Sequence, residues 1–214
     1  MDKQLEKEKQ RKLSPAEERR LERFNTVCAE LESEGYARHD LTVGIVKANI
    51  FAFVLAIPVF VIGFGAFSAV NHGIEFNTSL TGLIVSLIAL VVLTVVHELI
   101  HGLTWGVFAT NGMKDIEFGF MKEYLTPYCT CSAPLPKRPY ILGGLMPGIV
   151  LGLIPTIVAI FINSYALLLI GMVMILGAAG DILIVIELLR YRSNAAEKLI
   201  YDHPTQAGCV VFER

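Results

Sequence analysis

Four stretches of this chain are long, apolar and nearly free of charge, and they set the fold class before any other feature is considered. They cover residues 49–70, 81–109, 141–162 and 165–189, and each reaches the roughly 20 residues of helix that cross a bilayer. Charged residues make up only 18% of the chain and hydrophobic residues 54%, whereas a soluble domain carries about 25% charged residues. The deficit is confined to these four stretches. The expected fold is therefore an all-α membrane protein with four transmembrane helices. Its parts are a segment at 1–48, a four-helix membrane domain at 49–189 and a tail at 190–214.

The 18 Lys and Arg residues set the orientation. They lie before the first stretch, between the second and third, and after the fourth. The connections at 71–80 and 163–164 carry none. All 18 therefore share one side, which the excess of positive charge in cytoplasmic loops makes the inner side. Both termini are expected in the cytoplasm of a multi-pass cell-membrane protein. The first 48 residues are polar, so no cleavable signal peptide is expected at the start. The net charge of −2 gives no case for nucleic-acid binding. Cys28, Cys129, Cys131 and Cys209 would all face a reducing compartment, where disulfides are not expected. Cys129 and Cys131 suit a soft metal or are two small side chains on one strand face, the commoner case.

The polar parts have structure of their own. Ser14-Pro15-Ala16-Glu17 has the pattern of a capping box with proline in the first helical turn. Leu21, Phe24, Cys28 and Leu31 then recur at helical spacing up to Gly35, predicting a cytoplasmic amphipathic helix on the membrane surface or on the inner face of the bundle. After the second stretch, Ile116, Phe118 and Phe120 alternate with Asp115, Glu117 and Gly119, a strand period. Tyr124 to Cys131 is the second candidate strand. A small β-hairpin is expected here, either as a cap or as an open edge that accepts an extended peptide.

The chemistry lies in the second stretch, which contains His97-Glu98-Leu99-Ile100-His101. Residues four apart share a helix face, so both imidazoles point the same way and can grip one Zn²⁺. Glu98 reaches a zinc-activated water without being a ligand, and can take its proton and pass it to a leaving amine. Two His and one Glu within a span are costly in hydrocarbon, and a shared metal offsets that cost. A polar cluster hydrogen-bonded between helices is the other reading of the same residues.

HELIHGLTWG within an apolar span resembles the intramembrane zinc metalloproteases of the site-2 protease type. It resembles more closely a bacterial family of membrane proteins described as zincin peptidases. The likeness covers most of the chain from the second stretch onward. It implies that His97 and His101 bind zinc and that Glu98 is catalytic. Gly143-Gly144-Leu145-Met146-Pro147 is loosely similar to a site-2 segment built on Gly-Pro and Asn. Gly180-Asp181 is similar to that group's Asp-Gly ligand segment, with Ile182 in place of the glycine. Tyr201-Asp202-His203-Pro204 with Gly208 resembles the tail of the peptidase family.

Catalytic zinc takes three protein ligands and leaves one position open. The candidates for the third are Asp181, Glu187, Asp202 and His203. Thr81 to His97 and Tyr165 to Asp181 are both 16 residues, about 24 Å of helix from the outer side. The two meet at one depth, and Asp181 is the expected ligand. Glu187 is the alternative, although Arg190 three residues on offers it an ion pair. Asp202 and His203 would require the tail to fold back into the bilayer. The expected function is a membrane-embedded zinc endopeptidase acting on a peptide or membrane-protein substrate within the lipid bilayer. The alternatives are a non-catalytic zinc-binding membrane protein, either a transporter or an interaction partner, and hydrolysis of a non-peptide bond. The oligomeric state is left open.

Overall fold

The computed structural model describes residues 13–73, 79–121 and 126–214, so Lys122 and Tyr124 lie outside the described residues. The chain is mostly helical. Helix α1 is Pro15–Ser33, α2 is Ile45–Asn71, α3 is Leu80–Phe108 and α4 is Lys137–Pro147. Helix α5 is Ile154–Phe161, α6 is Tyr165–Gly177 and α7 is Ala179–Arg190. Three helical runs are long and apolar enough to cross a membrane: Val46–Asn71, Leu80–Phe108 and Lys137–Phe161. A fourth is reached if α6 and α7, bent by 46°, count as one span. Their apolar side chains point outward, with Phe53 and Val107 both 78% exposed. Such a surface is unfavourable in water and favourable in hydrocarbon.

Two spans are irregular at places their sequences explain. Between α4 and α5, Gly148–Leu153 forms a π-helical segment. It lies between Pro147 and Pro155, and Pro155 has no N–H to offer the carbonyl four residues earlier. Between α6 and α7 the chain bends at Gly177-Ala178-Ala179-Gly180, where two glycines weaken the helix. Close packing joins the two irregular spans. A Cβ on Gly152 would lie 2.9 Å from the Ile175 backbone nitrogen, and one on Gly171 would lie 2.7 Å from that of Thr156.

The expectation of an all-α fold is corrected by a four-stranded antiparallel sheet. Strands β1 (Ala37–Thr42), β4 (Leu135–Pro136), β5 (Lys198–Asp202) and β6 (Gly208–Glu213) pair in the order β1-β6-β5-β4. The segment before the first span and the tail after the last are thus knit together. Strand β6 is buried on both faces, so it has no alternating pattern to read. Cys209 and Val211 pack with Trp105, Tyr140, Leu188 and Ile200 at the end of the bundle. Val210 and Phe212 pack with Phe24, Cys28 and Leu31 of α1. Helix α1 therefore lies on the sheet, and carries the expected capping box between Ser14 and Glu17.

Strands β2 (Ile116–Met121) and β3 (Thr126–Cys131) form the hairpin, with Ile116 opposite Cys131 and Phe118 opposite Cys129. It packs on α3 because Gly102 leaves room. A Cβ there would lie 2.9 Å from Ile116 Cγ2 and 2.8 Å from Phe118 Cε1. Arg20 and Arg23 tie α1 to this hairpin region through Glu117 at 3.1 Å and Asp115 at 2.7 Å.

Candidate metal centre

Helix α3 presents His97 and His101 one turn apart on a buried face. The bend before α7 puts Asp181 in the first turn of that helix, where the positive end of the helix dipole favours a carboxylate. His97 Nε2 lies 3.2 Å from Asp181 Oδ2 and 3.1 Å from His101 Nε2. His101 Nε2 lies 3.5 Å from Asp181 Oδ1. Zinc bound tetrahedrally at 2.0–2.2 Å needs ligand atoms about 3.3 Å apart. The His97–His101 and His97–Asp181 separations match that spacing, and one ligand atom from each of the three residues lies within 4.8 Å of the others. Two imidazoles and one carboxylate are also the right donors for zinc.

The trio is held from behind. His101 Nδ1 lies 2.9 Å from the Gly143 carbonyl oxygen. Donating there leaves the Nε2 lone pair aimed at the trio, the usual way a ligand histidine has its tautomer fixed. Trp105, four residues further along the same face, stacks on His101 with ring centroids 4.9 Å apart. Its Nε1–H donates to the Tyr140 carbonyl at 3.1 Å, and the Tyr140 ring stacks with it at 5.7 Å. A Cβ on Gly143 would collide with the Trp105 indole ring, so this close approach of α4 to α3 requires glycine. Glu98 is half-buried beside the trio without belonging to it, on the side of the Cys129 backbone N–H in β3.

The other candidates for a third ligand are engaged elsewhere. Glu187 accepts from Lys47 Nζ at 2.8 Å and lies 3.6 Å from Arg190. The Nδ1 of His203 accepts the backbone N–H groups of Thr205 and Gln206. Asp202 accepts from the Cys131 N–H at 2.8 Å and from the hydroxyls of Thr130 at 3.2 Å and Tyr140 at 2.7 Å. The tail therefore adds no residue to the trio. It reaches the neighbourhood of the centre as part of the sheet, at the polar end of the bundle. Cys131 is buried and its Sγ donates to the Ala133 carbonyl at 3.5 Å, while burial pushes its thiol up to about 12.

A cavity of about 400 Å³ runs from Asp181 past Trp105, Cys129 and Asp202 to Arg20 of α1. Of the four residues expected to act, Asp181 borders it.

A family model described as "Putative zincin peptidase" matches residues 90–196, which is 107 of the 214. The chain belongs to this family. Zincin membership implies a metallopeptidase and zinc, and His97, His101 and Asp181 form a group that could hold the ion. The matched segment contains all three, with Glu98, and ends before β5. No curated protein and no solved structure matches the chain. Sequence reasoning missed several contacts around the zincin centre: Trp105, Tyr140, the Gly143 carbonyl and the Cys129 N–H. Trp105 had a signal, because it extends the four-residue spacing of His97 and His101. The others act through main-chain atoms or through a strand pairing distant in sequence.

Proposed function

We propose that this chain is a membrane-embedded zinc peptidase of the site-2 protease type, with His97, His101 and Asp181 as ligands and Glu98 as general base. The observation that carries the reading is the spacing of the donors, 3.1 Å between the two histidine nitrogens and 3.2 and 3.5 Å from them to the two oxygens of Asp181, with a second carboxylate, Glu98, beside them to do proton chemistry. When bound, zinc supplies the Lewis acidity that makes water nucleophilic near neutral pH and polarises a carbonyl.

The remaining work falls to the protein. Glu98 takes a proton from the attacking water and returns it to the amine as the peptide bond breaks. The Cys129 N–H beside it favours the ionised carboxylate. His101, held by Gly143 and Trp105, cannot swing away from its partner ligands. The cavity between the hairpin, α1 and the tail gives a polypeptide segment room to lie beside Asp181. The Gly143-to-Pro147 segment of α4 packs against α3 at this level, which supports the site-2 likeness. All Lys and Arg share one side of the spans, and this supports a cell-membrane location with both termini cytoplasmic and the N-terminal helix on the inner side.

Glu98→Gln tests the mechanism. In detergent-purified protein the variant keeps its zinc and its fold and loses peptide hydrolysis by about 10²–10⁴-fold, the usual weight of a general base. A variant that turns over at the wild-type rate removes Glu98 from the mechanism.

A further inference from the structure

The tail motif Tyr201-Asp202-His203-Pro204…Gly208 lies outside the family match, yet it is built tightly against the centre. Each part has a structural task. Tyr201 packs on Phe24 of α1 with ring centroids 5.2 Å apart. His203 closes the turn through its Nδ1. The Pro204 carbonyl accepts from Arg20 Nε at 3.3 Å. Gly208 has φ +129°, and a Cβ there would lie 2.8 Å from Thr42 Cα, so β6 reaches β1 only with glycine at this position.

Asp202 differs from these, because its side chain leaves the tail. One oxygen, Oδ2, accepts from Cys131 N and Thr130 Oγ1 of β3, and the other, Oδ1, accepts from Tyr140 Oη of α4. The two elements it joins are the two that hold the centre. Strand β3 packs against α3, the helix that carries Glu98, with the Cys129 N–H on the side of its carboxylate. Helix α4 supplies the Gly143 carbonyl to His101, and the Tyr140 ring and carbonyl to Trp105. Burial pushes the Asp202 carboxyl up, and the donors from Cys131, Tyr140 and Thr130 oppose that. A half-buried acid at a cavity wall is costly to keep, and a hydrophobic side chain would serve a merely structural tail better.

We propose that Asp202 is a positioning residue of the metal centre, which fixes β3 and α4 relative to each other and so sets both Glu98 and His101. The inference rests on the zinc peptidase reading, but its test does not depend on peptide cleavage. Zinc affinity is measured by chelator competition on the full chain in detergent, for the wild type, Asp202→Asn, Asp202→Ala, Tyr140→Phe and Val210→Ala. The Asn variant keeps the size of the side chain, and Val210→Ala weakens the same sheet without touching the clamp.

Loss of a residue that orients a ligand lowers metal affinity about 10–100-fold. We expect that loss in both Asp202 variants, a smaller one in Tyr140→Phe, and wild-type affinity in folded Val210→Ala despite a lower melting temperature. The cobalt-loaded Asp202→Asn variant should show a displaced visible absorption band. Wild-type affinity and an unchanged cobalt band in Asp202→Asn overturn the proposal, as does an equal loss of affinity in Val210→Ala. A wild type that binds no zinc overturns the peptidase reading together with it, which separates the two failures.

Discussion

At His101 three restraints converge: the Gly143 carbonyl, the Trp105 ring and the neighbouring His97 nitrogen. Gly143→Ala drives a methyl group into the indole, so either Trp105 or α4 must move. Its zinc affinity should fall about 10–100-fold, as for other losses behind a metal ligand. Gly144→Ala is the matched comparison, since its added carbon meets only Val185 Cγ2 at 3.4 Å, and it should bind zinc like the wild type. Chelator competition on both variants decides, and equal affinities would show that the stack does not govern the site. The same titration separates the acids: Asp181→Ala should lose zinc and Glu187→Ala should keep it. At this scale the sequence is legible where the relation is local. His97, Glu98 and His101 are one helical turn, and the spacing alone puts the imidazoles on one face. Asp181 needs the added argument of depth. The Gly143 carbonyl and the Cys129 N–H cannot be read at all, because every residue has a carbonyl and nearly every residue an N–H.

Among the elements, the hairpin region carries the clearest electrostatic anchor. Asp115, in the short 3₁₀ turn Gly112–Asp115 before β2, is 1% exposed. It accepts from Asn111 N at 2.8 Å, from Asn111 Nδ2 at 3.2 Å and from Arg23 of α1 at 2.7 Å. Burial alone would raise its carboxyl, but the Asn111 backbone and side chain and the Arg23 guanidinium together hold it below the usual carboxylate range. A depressed pKa contributes stability above the unfolded value of about 3.9, and that contribution fades as pH falls through the lower folded value. Asp115→Asn should cost roughly 1–3 kcal/mol at neutral pH and flatten the acid limb of the melting curve. Thermal unfolding from pH 7 to 3 checks it, and an unchanged limb would remove Asp115 from acid stability. The hairpin was legible from its period of two. The bend between α6 and α7 was not, because hydropathy does not register a change of direction. Strand β6 escaped for a related reason: an apolar run buried on both faces has no period.

For the whole molecule the governing fact is the separation of its two ends. The α1 helix, the sheet and the hairpin gather at one end. Asn71, Ser79, Asn163 and Ser164 line a second cavity at the other, where the helix ends meet. If the Lys- and Arg-rich end is cytoplasmic, an impermeant thiol reagent should label Asn163→Cys on intact cells. Asn194→Cys should label only after the membrane is opened. The reverse pattern would invert the protein.

The pairing of β1 with β6 also imposes an order on assembly. Strand β1 is synthesised before the first long apolar helix and β6 after the last, so β1 waits for its partner while all of these helices are made. Until β6 arrives, β5 lacks its long neighbour and the cavity beside Asp181 lacks a wall. On the proposed peptidase reading, the HELIH helix is therefore made well before the tail that clamps its surroundings, and hydrolytic competence waits for that tail.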